Sequence, residues 1–504
     1  MSLRPLLAKI AHRGTSLAEI GGCDRWAIGA NRLPIVGRDH GRQPLRSPDG
    51  SVHVVFNGEI YNYRELRRNL EQQGYPFNLD TDTEVISHGY HCWGSDLFEK
   101  LDGMFAIIIY DQREGAHVVA RDPMGVKPLY YLENDNGAFY ASEIKALLTQ
   151  PGEITAIPPG HFQHSVRGLH PYSRQRTSET PQRHGSLKSH VDEFRTMFQA
   201  AVRKRVETDL PVAVFLSGGI DSSAVMYEAA KAHPNVVGFS IGSEDGPDVV
   251  AARRLCADLD LKHHHIPVTA QTLLGSIPDV IWTIESFEPN HIRGGTLSYI
   301  LSREVARAGY RIALCGEGAD ELFGGYAEVG SALTSGLPKA AIEAIMARFV
   351  NELHRTQLQR VDRTSMRFAL EVREPFLDQQ IIAFADSLPL DHKIALKGRG
   401  RVMNKRVLRE AYRDVLPDWL VDRSKAVLSL GAGFGSNGPE GMFYHHAHEM
   451  VSQEEFLALR NDHPEFDLSN REEGYYFRIF KERFGALSLA RNRPLVNATL
   501  AEVQ

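Results

Sequence analysis

Short apolar runs separated by turn-forming residues dominate the first third of the chain. Val52–Phe56, Phe105–Tyr110 and His117–Ala120 have the run lengths of strands, whereas Tyr63–Gln73 and Asp82–Trp93 repeat their apolar residues at helical spacing. From Ser165 to His190 the apolar residues thin into a stretch rich in Ser, Arg, His, Gln and Pro, which predicts an exposed linker. Beyond it the pattern alternates. A helix over Val191–Glu207 precedes the apolar run Pro211–Leu216, then a Gly- and Ser-rich turn, then a helix from Ala224. Further strand-like runs, Val236–Ile241 and Arg311–Leu314, are separated from their neighbours by helical stretches, and most of Lys339–Glu449 has helical spacing. Alternation of strand and helix predicts a parallel sheet with helices on its faces. The expected organisation is α/β, with one domain over residues 1–175, a linker over 176–190 and a second domain over 191–504.

Composition narrows the class. At 504 residues, two domains with separate cores are the natural expectation. Apolar residues at 42% and charged residues at 24% are ordinary for a soluble protein. A formal net charge of -6 argues against a nucleic-acid or anionic-membrane partner. No stretch reaches the ~20 apolar residues of a membrane span, and the opening MSLRPLLAKIAHRG places a charge ahead of any apolar run, unlike a signal peptide. Cys23, Cys92, Cys256 and Cys315 are scattered, with no CxxC pair, which fits a reducing cytosol rather than a disulfide framework or zinc knuckle. A cytoplasmic enzyme acting on a small molecule is the expectation.

The candidate chemistry begins at Ser217-Gly218-Gly219-Ile220-Asp221-Ser222-Ser223, which follows the apolar run and opens a helix. Paired glycines let the backbone approach an anion, the hydroxyls of Ser217, Ser222 and Ser223 can donate, and a helix N-terminus adds partial positive charge. Asp221 beside phosphate would be self-defeating without a cation between them, which points to Mg²⁺. A Gly-Gly turn alone is most often structural. The full SGGxDS string after an apolar strand is far more specific, and it is not a Walker A loop because no GK[ST] follows.

With these residues in view the chain resembles the asparagine synthetase and β-lactam synthetase family, whose ATP loop SGGIDSS matches. Three further runs carry the resemblance: Cys315–Tyr326 (CGEGADELFGGY), Glu371–Asp378 (EVREPFLD), and Asp422-Arg423-Ser424-Lys425 followed by the Gly-rich Gly431–Gly435. The resemblance extends to about Phe484. It implies a glutaminase-like (Ntn) αββα sandwich followed by an ATP-pyrophosphatase domain of the adenine nucleotide α-hydrolase type. It also implies ATP and Mg²⁺ as cofactors, release of AMP and pyrophosphate, and an amino-acid substrate; a homodimer is compatible with it. Asp221 and Asp320 would hold Mg²⁺, while Leu216, Ile241 and Gly316 would line the adenine pocket and Ser217, Gly218, Gly219 and Ser222 the phosphates. Lys425 would stabilise charge on the transferring phosphate, Arg293 would bind pyrophosphate or a substrate carboxylate, and Glu317 would steer or deprotonate the attacking amine.

In the first domain Arg32, Asn57, Gly58, Glu59 and Asp82 fall where the family binds glutamine, the Arg suited to an α-carboxylate and the acids to an α-ammonium. The family's opening Met-Cys-Gly-Ile, with its nucleophilic cysteine, has no counterpart here, and Cys23 and Cys92 read as ordinary residues. As given, the chain is expected to lack glutaminase activity, through a true loss as in β-lactam synthetases or through an upstream start. Around the acyl substrate the pattern also departs. Asn290-His291 stand where a Thr-Thr pair is usual, Ala369 and Glu374 replace the usual Gly and Val around Glu371, and Ala426–Leu430 differ after Lys425. A small polar pocket tolerates such changes poorly. The leading expectation is therefore ring closure to a β-lactam on a specialised amino acid, of the tabtoxin type, with Asn290, His291 and Glu371 at the acyl pocket. The alternative is an asparagine synthetase, using ammonia or, with an upstream start, glutamine. A non-catalytic scaffold is the third reading.

Overall fold

Branched apolar residues in long extended runs build the spine of the first domain. The computed structural model describes residues 2–16, 18–173, 182–398, 401–424, 428–435 and 441–485. Six strands form an antiparallel sheet: Leu45–Arg46 (β1), Val52–Ile60 (β2), Gly103–Asp111 (β3), Ala116–Arg121 (β4), His161–His164 (β5) and Gly168–Pro171 (β6), in the order β6-β5-β4-β3-β2-β1. β2 and β3 pair along their whole length, from Val52 opposite Asp111 to Ile60 opposite Gly103. One face packs Val52, Val54, Phe56, Ile107 and Ile109 against Leu66 and Leu70 of the helix Tyr63–Gln72 and Val85, Ile86 and Tyr90 of the helix Asp82–Trp93. Residues pointing the other way, Ala106 and Val119, meet Leu129 and Ile157 beside a three-stranded sheet. The short helices Arg4–Lys9 and Ile144–Leu147 lie against each other behind it, completing the αββα sandwich expected.

The second domain is built on Val212–Phe215 (β7), Val236–Gly242 (β8), His263–Pro267 (β9), Ile312–Leu314 (β10) and Glu371–Arg373 (β11), all parallel, in the order β9-β8-β7-β10-β11. β9 and β11 escape a hydrophobic-pattern search because one is His-rich and the other has two charged residues in three. The helix Leu187–Arg205 begins within the stretch expected to be linker. Ser186 caps it by accepting from the Ser189 amide, and Phe194, Phe198, Ala201 and Val202 bury in the second core. The next helix starts at Ile220, earlier than expected, so that Asp221 lies in its first turn. Residues 174–181 of the expected linker lie outside the described residues. No described helix is long and apolar enough to cross a membrane.

The two domains share buried charge. Arg13 Nη1 lies 2.8 Å from Asp362 and 2.9 Å from Glu143, and Lys145 Nζ lies 2.5 Å from Glu143 and 3.0 Å from Glu285. Arg363 adds a 3.3 Å contact to Glu285, and Arg373 reaches back to Glu59 of β2 at 2.7 Å. Removing one partner from such a buried network costs about 3–5 kcal/mol, because it strands the other charge.

Glu374 follows β11 and is buried at this seam, beside a cavity of about 20 Å³ lined by Tyr61, Asp122 and Arg205. Burial pushes its carboxyl up to about 8, against the pull of Lys127 and Arg205, so it is protonated at pH 7. A group with a raised folded-state value contributes stability that is whole below its unfolded value, near 4.5, and lost as pH rises through about 8. The unfolding free energies of Glu374→Gln and the wild type should therefore differ by a gap that widens in favour of the variant between these two values and then levels off. Guanidinium denaturation across that range measures it; a pH-independent gap would mean that the carboxyl ionises like an exposed one.

Candidate active site

Strand order fixes where a ligand can enter. β7 and β10 are neighbours, and their connections leave in opposite directions across the sheet, so the crevice beyond their carboxyl ends is a topological switch point. A cleft of about 970 Å³ opens there. Its floor is made by two turns, Leu216–Gly219 after β7 and Cys315–Gly318 after β10.

In the first turn Gly218 adopts φ +65, and a Cβ there would come within 2.6 Å of the Ala252 amide nitrogen, so the turn can close only with glycine. Ser222 Oγ accepts from the Ser217 amide at 3.2 Å and lies 3.1 Å from Ser217 Oγ, tying the turn to the first helical residues. The helix Ile220–Ala232 has no side-chain N-cap, which leaves its first amides directed at the cleft. Leu216 and Ile241 supply an apolar wall and Gly316 lies opposite, all on the cleft.

Asp221 and Asp320 stand in the first turns of the helices that follow β7 and β10. They converge on one cation: Lys405 Nζ lies 2.5 Å from Asp221 Oδ2 and 2.7 Å from Asp320 Oδ1. Burial alone would lower the Lys405 pKa, but the two carboxylates hold it above the ordinary lysine value. Gly325 makes room for the cluster, since a Cβ there would lie 1.8 Å from Asp320 Oδ1 and 2.3 Å from Lys405 Cε. Two carboxylates that share one ammonium are close enough to share one hard cation. Among the described residues no group of three or more His, Cys, Asp or Glu side chains could hold a metal by itself. A pair of carboxylates suits Mg²⁺, which commonly takes one or two and completes its shell with phosphate oxygens and water.

Farther along the cleft Glu317 Oε1 accepts from Arg360 Nη2 at 2.8 Å, and Tyr326 donates to Glu321. Burial, with Asp320 and Glu317 nearby, pushes Glu321 up to about 7. Arg423 clamps the phosphate-type turn, donating to the Gly218 carbonyl at 2.9 Å and to Asp248 at 2.7 Å. Lys425, two residues on, lies outside the described residues, as do Ala426 and Val427. Pattern reading gave no role to Lys405 and Arg360, nor to Arg423 within the Asp422–Lys425 run; each lies distant in sequence from the two turns, and only the fold brings it to the cleft.

Three expected residues are elsewhere. Asn290 does line the cleft, donating to Glu288 at 3.0 Å. His291 next to it is buried behind the wall, its ring 3.1 Å from Ser286 Oγ and its pKa pushed down to about 3 by burial and Arg360. Arg293 is not on the cleft; its guanidinium is taken by Glu472, with one bond at 2.8 Å, from the helix Arg471–Phe484. Glu371 opens β11 opposite Ile312, at the end of the sheet away from the turns, and therefore belongs to the domain seam rather than to an acyl pocket. There it accepts from Arg373 at 2.9 Å.

In the first domain the five expected residues do come together. Arg32, Asn57, Gly58, Glu59 and Asp82 line a cavity of about 230 Å³, which Glu371 also borders. Arg32 is engaged by the backbone carbonyls of Val36 and Gly37 at 2.8 and 2.9 Å, and Glu59 by Arg373. Burial pushes Asp82 up to about 7, although the Ile60 amide donates to it.

Comparisons with known proteins agree with this division. Residues 1–196 match the glutamine amidotransferase domain model, and residues 193–341 and 333–484 match the asparagine synthase model. A probable glutamine-hydrolysing asparagine synthetase of Dictyostelium discoideum is 32% identical over 94% of this chain and 89% of its own length. A glutamine-hydrolysing asparagine synthetase of Brassica oleracea is also 32% identical, over 98% of this chain and 85% of its own. Among solved structures, a glutamine phosphoribosylpyrophosphate amidotransferase of B. subtilis aligns over 46% of this chain and 61% of its own at TM-score 0.29 and 20% identity, a likeness on which nothing is rested. Fold and matches together define a two-domain chain that joins a glutamine amidotransferase domain to an asparagine synthase domain. The chain belongs to the asparagine synthase family. These relatives favour the asparagine alternative over ring closure to a β-lactam.

The two glycines of the turn separate folding from ligand approach. Gly218→Ala should lower the unfolding free energy by about 1–3 kcal/mol, the usual cost of forcing a side chain into the left-handed region. At Gly219 a Cβ would meet only Ser217 Oγ, at 3.4 Å, so Gly219→Ala should fold normally. Thermal unfolding of both variants checks this, and equal losses would contradict the geometry.

Proposed function

We propose that the protein is an AMP-forming amide ligase of the asparagine synthetase type, which activates the side-chain carboxylate of aspartate with ATP and transfers it to ammonia. The observation that carries this reading is the convergence of Asp221 and Asp320, from adjacent strands, on one cation beside a phosphate-type turn. The adenine would rest against Leu216 and Ile241, and the phosphates would accept from the amides after Gly218 and the hydroxyls of Ser217 and Ser222. Asp221 and Asp320 would hold Mg²⁺, which when bound neutralises charge on the departing pyrophosphate.

The substrate carboxylate oxygen attacks the α-phosphorus, the bond from that phosphorus to the bridging oxygen breaks, and pyrophosphate leaves. Ammonia then attacks the acyl carbon, the acyl–oxygen bond breaks and AMP departs. Glu317 accepts the proton that ammonia loses; Arg360 at 2.8 Å holds that carboxylate in orientation. Lys425 would serve the phosphate as the family resemblance implies.

A second reading, ring closure by a specialised amino acid carrying its own amine, has one observation in its favour: Asn290, which stands where the family usually has Thr, lines the cleft. Arg293, paired with Glu472, and His291, which is buried, do not separate the two readings.

Incubating the protein with ATP, Mg²⁺, aspartate and ammonia should yield asparagine, AMP and pyrophosphate in equal amounts. Asp221→Asn and Asp320→Asn should each lower the rate at least about a hundredfold, as loss of a transition-state electrostatic contact does. No pyrophosphate from aspartate, together with its release from a diamino acid, would exclude the asparagine reading and support ring closure. No pyrophosphate from any amino acid would exclude both.

A further inference from the structure

Lys405 is a lysine that no step above uses, yet it is the best-buried cation of the cleft, with its side chain 2% exposed. It caps the helix Arg406–Ala411 in a left-handed conformation, φ 53. Its amide donates to the Phe323 carbonyl at 3.1 Å, and neighbouring Asn404 donates to the Gly325 carbonyl at 3.0 Å. The backbone is thus fixed to the turn that follows Asp320, and the ammonium is delivered to a fixed point between the two carboxylates. That is the point a divalent cation would take.

The two cations exclude one another. A metal that captured Asp221 and Asp320 would leave the Lys405 ammonium buried without its anions, and Arg409, which also lines the cleft, is likewise positive. Stranding a buried charge is strongly unfavourable. A polyphosphate entering over the turn changes the balance, because its oxygens can accept from the displaced ammonium while they complete the metal's shell. We propose that Lys405 is a positioning residue that closes the Asp221–Asp320 site to divalent cations until nucleotide arrives, so that metal and nucleotide bind together. It rests on the reading of those aspartates as the metal site. Coupling between two ligands through one residue is ordinarily worth about 5- to 150-fold in affinity.

Mn²⁺ alone is the probe, followed by the loss of its free-ion paramagnetic resonance signal on titration with nucleotide-free full-length protein. Wild type should bind weakly, and Asp320→Asn should not weaken it further, because the site is already closed. Lys405→Met should gain one Mn²⁺ site at least about tenfold tighter than wild type, Lys405→Arg should stay like wild type, and Asp320→Asn placed in the Met variant should abolish the gain. A Met variant that binds no better than wild type overturns the proposal. So does a wild type whose nucleotide-free Mn²⁺ binding falls with Asp320→Asn, a result that decides the matter even where the Met variant does not fold. The underlying site reading fails separately: Asp320→Asn that still forms AMP refutes the metal assignment, whereas loss of AMP formation without the Mn²⁺ gain refutes only the role of Lys405.

Discussion

Two carboxylates brought within reach of one cation are the constraint on which the second domain depends. Asp221 and Asp320 come from turns that follow β7 and β10, strands paired in parallel from Val212 opposite Ile312 to Val214 opposite Leu314. That register puts both turns at the same level above the sheet, and the opposite directions of the chain on leaving them open the cleft between. Like charges so close are tolerable only with a counter-ion. Here the counter-ion is Lys405, carried by a loop tied to Phe323 and Gly325. The absence of a side chain at Gly325 is part of the same arrangement, because no other residue leaves space for the Asp320 and Lys405 atoms beside it.

The first domain is joined to this machinery by buried charge as well as by apolar packing. Ile35, Met104 and Val126 enter the core around the helix Leu187–Arg205, while Tyr130, Leu132 and Ile144 enter the core on the other face of the parallel sheet. Between them run the pairs Arg13–Asp362, Lys145–Glu285 and Arg373–Glu59, all buried. One consequence is chemical. The cavity beside Arg32 and Asp82 is bordered by Glu371, and its Glu59 is paired with Arg373, so the second domain sets the charge of a pocket in the first.

The sheets and the helices beside them were largely legible in the sequence, because apolar periodicity is a local property. The helix Asp82–Trp93 has the bounds its spacing predicts, with Thr81 capping it, whereas the SGGIDSS string marks the turn after β7 but overruns into the helix, which starts at Ile220 rather than Ala224. Where pattern reading fell short, the cause was long-range. β9 and β11 are polar strands whose place is set by their neighbours. Residues of the motif that carries Glu371 serve different pockets along the seam: Glu371 borders the cavity beside Arg32, and Glu374 the one beside Tyr61. Arg293 was assigned to the cleft because nothing in its surroundings reveals Glu472, far away in sequence on the last described helix. Lys405 and Arg360 escaped for the same reason, and Arg423 was read only as part of its run, without its bond to Gly218.

The most direct test of the central claim is a crystal structure of the protein with a non-hydrolysable ATP analogue and Mn²⁺, read from the anomalous signal of the metal. One ion is expected between the Asp221 and Asp320 carboxylates, bridging to phosphate oxygens above Gly218–Gly219, with the Lys405 ammonium moved onto phosphate. A metal bound away from either aspartate, or nucleotide seated elsewhere than over the β7 and β10 turns, would contradict it.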